Sequence, residues 1–100
     1  MPSTKDYLDF ILDQLSPLGR ITTRLMMGEY LLYRNGLYFG AICDNRLLLK
    51  KTKITEKYGM KTDLPYPGAK PMYLAECVDD SAEICEIVTE TCRGLKEKHS

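Results

Sequence analysis

The sequence has no tryptophan, a single histidine and a formal net charge of zero over its 100 residues. The single histidine, His99, stands beside the C-terminus and gives no nucleophile–base pair with a serine or cysteine, which argues against an acyl-transfer triad. No apolar stretch approaches the roughly 20 residues that span a bilayer, and Asp6 and Asp9 stand where a secretory signal would be basic and then apolar. These absences predict a cytoplasmic protein that is not an enzyme and has no membrane segment.

Cysteine is present, but its spacing favours neither disulfides nor a metal site. The four cysteines contain no Cys-x-x-Cys pair, and cytosolic thiols stay reduced. With one histidine in the chain, zinc lacks a plausible ligand set. We therefore predict no metal and no cofactor, and we interpret the cysteines as small hydrophobic side chains. They are Cys43, Cys77, Cys85 and Cys92.

The composition is that of an ordinary globular protein, with 44% hydrophobic and 28% charged residues. A chain of this length makes one domain, which we assign to residues 1–100. Its apolar spacing predicts a first helix capped by Ser3 and a last helix capped by Asp80, with a short helix over 53–58 that ends at Gly59. A strand is predicted over 72–77, after a loop rich in proline and glycine.

The centre of the chain reads as a three-stranded meander over 30–34, 37–43 and 46–50. Asn35-Gly36 and Asp44-Asn45 supply the two tight turns, because such residues accept positive φ. Together these elements predict an α+β fold in which helices pack on an antiparallel sheet. Two-residue turns fix the register, which assigns one face to the helices: Leu31, Tyr33, Tyr38, Gly40, Ile42, Leu47 and Leu49.

The opposite face of the meander is unusually apolar in its middle. A sheet face exposed to water should be polar, so either residues 60–71 of the same chain cover this face or a partner does. A second subunit is one such partner. The residues assigned to this face are Tyr30, Leu32, Arg34, Leu37, Phe39, Ala41, Cys43, Arg46, Leu48 and Lys50.

The zero net charge conceals two oppositely charged regions. Residues 20–61 contain nine basic and three acidic side chains, whereas residues 62–91 contain one lysine and seven acids. The basic region, with aromatic residues among its cations, could bind a phosphate backbone. Alternatively, the two regions face each other within the fold, or complement a second subunit. No recognised DNA-reading motif accompanies the basic region.

Three segments carry a resemblance to a known family. RLMMGEYLLY at 24–33, NGLYFGAICDNRLLLKKT at 35–52 and PYPGAKPMYLAE at 65–76 resemble the TfoX/Sxy N-terminal domain in order and spacing. The similarity extends over nearly the whole chain. Met27 replaces a phenylalanine of the family pattern and Glu29 replaces a glycine.

The resemblance implies a regulatory role. Full-length proteins of this family are associated with natural competence, act with the cyclic-AMP receptor protein at competence promoters, and carry a second, helical domain that this sequence does not contain. What the resemblance implies for this chain is a non-enzymatic regulatory or protein-interaction domain, with a partner protein or self-association as a dimer. The contact surface would be either the half-apolar sheet face or the turn from Arg24 to Tyr30. The candidate residues of the two are Arg24, Met26, Gly28, Tyr30, Leu32, Phe39 and Leu48.

The alternative hypothesis is a nucleic-acid-binding module that uses the basic segment 46–61. It predicts affinity that falls steeply with salt, because each neutralised phosphate releases counterions. The candidate basic patch comprises Arg46, Lys50, Lys51, Lys53 and Lys57.

Overall fold

Six strands form a single antiparallel sheet in the computed structural model, which describes residues 3–98. Their order is β1-β2-β3-β4-β6-β5, so the first four strands follow one another along the chain and the last two exchange places. Strands β1 and β5 form the two edges of the sheet. The strands are β1 (Ile21–Met26), β2 (Glu29–Arg34), β3 (Leu37–Cys43), β4 (Arg46–Leu49), β5 (Thr62–Asp63) and β6 (Met72–Ala75).

Two α-helices, α1 (Lys5–Gln14) and α2 (Ser81–Lys98), pack on one face of this sheet, with short 3₁₀ helices at Ser16–Leu18 and Ile54–Tyr58. The predicted α+β class is confirmed. The edge strands β1 and β5 were not predicted. Strand β5 is short and strand β1 is exposed along most of its length. Neither strand therefore shows the apolar alternation by which a half-buried strand is recognised.

Three two-residue turns connect the first four strands. Asn35-Gly36 and Asp44-Asn45 turn the chain as predicted, with φ positive at both positions of each turn. The third turn, Met27-Gly28, joins β1 to β2 and has the same backbone signature, with φ of 52° and 84°.

A β-bulge between β2 and β3 changes which side chains face the helices. Leu32 pairs with Gly40 and Tyr33 pairs with Tyr38, which leaves Phe39 as the extra residue in β3. Side chains normally alternate between the two faces of a strand, which would put Phe39 and Ile42 on opposite faces. The extra residue interrupts this alternation, so Phe39 faces the same side as Ile42. Next to the bulge, β3 and β4 lie close together, and a Cβ on Gly40 would lie 2.5 Å from the Leu48 carbonyl oxygen.

The main core lies between the sheet and the helices, and it corrects the predicted faces. Ile42, Leu47 and Leu49 face the helices as predicted. The prediction is wrong for Leu31, Tyr33 and Tyr38, which lie on the outer face, because a register without a bulge was assumed. Core residues that are fully or almost fully buried include Leu8, Ile11, Leu15, Leu32, Phe39, Ile84, Ile87, Val88 and Leu95.

The chain itself covers the outer face of the sheet. Leu48 has no exposed surface and forms a small buried cluster with Ala41, Cys43 and Met72. The 64–71 loop lies across this side, where Pro65 and Tyr66 line hollows together with Ala41 and Cys43. Of the two explanations for the apolar second face, internal cover is therefore confirmed for Leu48.

The segment before α1 ties two turns of the sheet together. Thr4, not the predicted Ser3, caps the helix, because its Oγ1 accepts a hydrogen bond from the Tyr7 backbone N–H at 3.2 Å. Ser3 instead accepts a bond from the Asn45 N–H at 3.0 Å, and the Thr4 N–H donates to Asn45 Oδ1 at 2.9 Å. The Ser3 N–H also donates to the Gly28 carbonyl oxygen at 3.4 Å. We call residues 3–4 the N-terminal strap.

Candidate functional site

The predicted interaction surface divides into a buried part and an exposed part. Leu32 and Phe39 have no exposed area and lie in the main core beneath the helices, while Tyr30 packs against that core. Leu48 is equally buried, on the other side of the sheet. Because side chains without exposed area cannot contact a partner, Leu32, Phe39 and Leu48 are removed from the candidate surface. Phe39 is buried because the bulge in β3 turns it toward the helices. Strand pairing then places Leu32 beside it, so Leu32 is buried as well.

The exposed part lies at the end of the β1–β2 hairpin, where Arg24, Met26 and Gly28 were predicted to act. Three consecutive apolar side chains project there: Leu25 is 64% exposed, Met26 46% and Met27 96%. We call Leu25, Met26 and Met27 the hairpin tip. A large apolar side chain that is almost fully exposed gains nothing from burial in this fold. The tip is therefore a candidate contact surface.

Met27 also has an unfavourable backbone. Its φ of 52° lies in the left-handed region, which costs an ordinary side chain about 1–2 kcal/mol. The other two hairpin turns place Asn35 or Asp44 at the equivalent position, and these residue types tolerate that conformation. The turn from Arg24 to Tyr30 was predicted as a contact surface, but Leu25 and Met27 were not singled out within it because β1 was not predicted.

The apolar surface continues from the hairpin tip to the 64–71 loop. Met27 and Tyr66 line the same hollow of about 310 Å³, with Pro65 and Pro67 beside them. Tyr66 is 56% exposed. Among the described residues, most of the exposed large hydrophobic side chains belong to these two segments: Leu25, Met26, Met27, Leu64 and Tyr66.

Strand β1 adds an unpaired backbone edge to this surface. In a two-residue hairpin the closing pair, here Met26 with Glu29, shares its hydrogen bonds, and bonded pairs then alternate along the ladder. The backbone groups of Ile21, Thr23 and Leu25 therefore point away from β2. Among the described residues, no strand pairs with β1 on that side, so these N–H and C=O groups can pair with another strand.

The predicted basic patch does not form one surface, because acidic neighbours neutralise part of it. Arg46 is half-buried, and its Nη1 lies 2.6 Å from Asp63 Oδ2. Lys57 Nζ lies 3.1 Å from Glu90 Oε1, at α2. Lys61 Nζ lies 3.9 Å from Glu76 Oε1. These three ion pairs link the basic region of the sequence, residues 20–61, to the acidic region, residues 62–91.

These pairs support one of the alternatives that the charge pattern left open, in which the two regions face each other. Two carboxyl groups respond to this arrangement. The hydrogen bond from the Leu64 N–H, together with that from Arg46, lowers the pKa of Asp63. Arg93 and then Lys57 lower the pKa of Glu90 to about 2.

Lys50, Lys51 and Lys53 differ from Arg46 and Lys57, because no carboxylate of the described chain forms an ion pair with them. Lys50 lies over the Tyr38 ring, with its Nζ 5.0 Å from the ring centroid. Lys51 lies over the Tyr73 ring at 5.5 Å. Both contacts are in the range of cation–π attraction.

The four cysteines are free, and three of them are buried. Burial raises the pKa of the Cys43 thiol to about 12 and also raises those of Cys77 and Cys92. A thiol with a raised pKa is a poor nucleophile and a poor metal ligand, because the thiolate is the reactive form. These cysteines therefore act as apolar side chains in the fold, and Cys77 is the one that is only half-buried.

Within residues 3–98, no group of three or more histidine, cysteine or acidic side chains is placed to hold a metal ion. His99 lies outside the described residues. In the same part of the chain, neither helix has the length and apolarity to cross a membrane.

Comparison with known proteins agrees with the sequence resemblance. The family model described as the TfoX N-terminal domain matches residues 13–93. A protein of Spirochaeta aurantia, described as an uncharacterized 12.7 kDa protein in the trpE 5' region, is 37% identical over 84 residues. The match covers 82% of this chain and 73% of that relative. The family match runs from the end of α1 into α2 and so includes all six strands of the sheet. The chain therefore belongs to the TfoX N-terminal domain family.

Proposed function

We propose that this chain is a non-enzymatic regulatory domain that works by protein contact, and that its contact surface is the hairpin tip with the free edge of β1. Membership of the TfoX N-terminal domain family supports a domain of the competence-regulator type. A role in competence or transcription, and a cytoplasmic location, belong to this proposal. Four free cysteines suit a reducing compartment.

The observation that carries the proposal is Met27. An exposed position in a left-handed turn is where Asn, Asp or Gly is expected, and Met27 is neither stabilised by burial nor suited to its φ. A locally unfavourable residue at the surface points to a function that compensates for it. An apolar contact with another protein supplies that function, because it would bury the thioether side chain.

The partner that the free edge fits directly is a second copy of the chain. If two β1 strands pair antiparallel about Thr23, the outward backbone groups of Thr23 meet those of its counterpart, and Ile21 lies opposite Leu25 of the second copy. This pairing is isologous, so it closes as a dimer with two-fold symmetry. It would also extend the sheet with both sets of helices on the same side. A contact of this small size favours weak association, in the micromolar range.

The edge can be tested by removing one backbone donor. In Thr23→Pro, the N–H that points away from β2 is lost, while the ladder between β1 and β2 keeps its bonds. We expect sedimentation equilibrium to show a concentration-dependent dimer for the wild type and at least about tenfold weaker association for Thr23→Pro. Thr23→Val keeps the N–H and is the matched control, which we expect to associate as the wild type does.

Met27→Asn separates stability from association. Asparagine suits a left-handed turn, so the variant should be more stable than the wild type by about 0.5–1 kcal/mol in urea unfolding, yet associate less. A wild type that stays monomeric at every concentration would refute the dimer. A Met27→Asn variant that associates normally would refute the role of the tip.

A further inference from the structure

A groove on the outer face of the sheet is lined by charged and aromatic side chains that the proposed contact surface leaves unused. It lies between the 64–71 loop, strand β3 and the residues that follow β4, and its volume is about 640 Å³. Specific ligand pockets commonly have volumes of roughly 300–1,000 Å³. Apolar groups form part of its wall, namely Ala41, Pro65, Ala69, Pro71 and Met72.

Three lysines line this groove: Lys50, Lys51 and Lys70. None of them forms an ion pair with a carboxylate of the described residues. The groove also contains one acid, Glu29. Lys51 borders the groove, but its Nζ lies over the Tyr73 ring, which lines a separate cleft. Lys50 and Lys70 therefore leave the groove an excess of one positive charge. Cations that have no carboxylate partner among the described residues, held around one concave surface, favour an anionic ligand.

Two tyrosines line the same groove. Tyr38 is half-buried, and its ring centroid lies 5.6 Å from that of Tyr33. The Tyr33 ring therefore packs against Tyr38 and helps to hold it in place. Tyr66 is more than half exposed and projects from the loop. Burial raises the pKa of the Tyr38 phenol, which keeps its O–H available as a hydrogen-bond donor. A planar ring of a ligand can stack on such side chains.

Another cleft formed by the described residues lacks this charge excess. It lies beside α2, has a volume of about 540 Å³, and is lined by Lys51 and Lys53 together with Glu56 and Glu97. Two cations and two carboxylates balance each other there. The outer groove is therefore the better candidate for an anion.

We propose that the outer groove binds a phosphorylated ligand that carries a planar ring and has the size of a mononucleotide. The phosphate groups would lie near Lys50 and Lys70, and the ring would lie on Tyr66 or Tyr38. No residue of the hairpin tip lines the groove, so this proposal stands independently of the proposed protein contact.

The test uses ATP as the probe and follows backbone amides by NMR. We expect concentration-dependent shifts at Tyr38, Lys50, Tyr66 and Ala69. Lys50→Ala combined with Lys70→Ala should weaken ATP binding at least about tenfold, because two charge-assisted contacts are lost. Lys53→Ala combined with Lys96→Ala removes the same charge outside the groove and should change the affinity by less than about threefold, through long-range charge alone.

A second comparison separates the ring from the phosphates. Inorganic tripolyphosphate and adenosine should each bind more weakly than ATP, and Tyr66→Ala should reduce the preference for ATP over tripolyphosphate. The proposal is overturned if ATP shifts no groove amide, or if both double variants lose affinity equally. Binding of a thymidine oligonucleotide without binding of ATP would also overturn it, in favour of a nucleic-acid strand.

Discussion

Replacing Gly40 with alanine tests the close approach of β3 and β4 next to the bulge. Alanine in place of glycine usually stabilises a folded chain by about 0.4–1 kcal/mol, because it restricts the unfolded state. At Gly40 the opposite is expected. The added Cβ would lie 2.5 Å from the Leu48 carbonyl oxygen and 3.0 Å from Leu49 Cδ2.

The size of the effect follows from these distances. A carbon and a carbonyl oxygen in contact are usually about 3.3–3.6 Å apart, so β3 and β4 would have to separate by about 0.8 Å. The hydrogen bond from the Lys50 N–H to the Phe39 carbonyl oxygen, now 2.9 Å, would then be broken at a cost of about 1 kcal/mol. Strain in the adjoining core adds about 1–3 kcal/mol. With the middle of each range, and after the gain from alanine is subtracted, the variant should be about 2–3 kcal/mol less stable.

Thermal unfolding followed by circular dichroism measures this loss. For a domain of this size 2–3 kcal/mol corresponds to a decrease in Tm of about 8–24 °C. Gly59→Ala is the matched control, because Gly59 has φ of 63° and open space around its Cα, so that it should lose only about 1 kcal/mol. If Gly40→Ala proves as stable as Gly59→Ala, the close approach of β3 and β4 at Gly40 is contradicted.

Two further predictions concern titrating groups. Iodoacetamide should modify Cys77 first in the native protein, since the other three cysteines are buried, and peptide mass spectrometry would identify the site. The Glu90 pKa is lowered from 4.5 to about 2, so the stability it provides is present above pH 4.5 and is lost as the pH falls toward 2. Urea unfolding of Glu90→Gln should therefore show a shallower loss of stability across that interval than the wild type; an identical slope would contradict the role of its pairs with Arg93 and Lys57.

Most of the fold could be predicted from local signals in the sequence. The turns at Asn35-Gly36 and Asp44-Asn45 require residues that accept positive φ, and the apolar stripe of α2 has helical spacing. Gly59 ends the short helix in a left-handed conformation as predicted. Asp80 caps α2 as predicted, since its Oδ1 accepts a bond from the Glu83 N–H. These signals act over a few residues and so survive without tertiary context.

The parts that could not be predicted depend on contacts between distant strands. A tight turn sets the register only near itself, and the bulge that places Phe39 in the core leaves no mark in the turn residues. Strand β1 shows no alternation because it is exposed along most of its length. Both effects reach the candidate site: Leu32 and Phe39 were placed on a surface although they are buried, and Leu25 and Met27 were not singled out within the 24–30 turn. Leu48 lies on the outer face as predicted but is buried there.

The N-terminal strap has a practical consequence for how the protein is handled. Because the Ser3 N–H bonds to the Gly28 carbonyl oxygen, any affinity tag joined ahead of Ser3 emerges beside the turn that presents Met27. Such a tag could mask the hairpin tip or contribute a spurious strand to the free edge of β1. Association measured with a tag at that end would report on the tag as well as on the protein, so a cleaved or C-terminal tag gives the cleaner comparison.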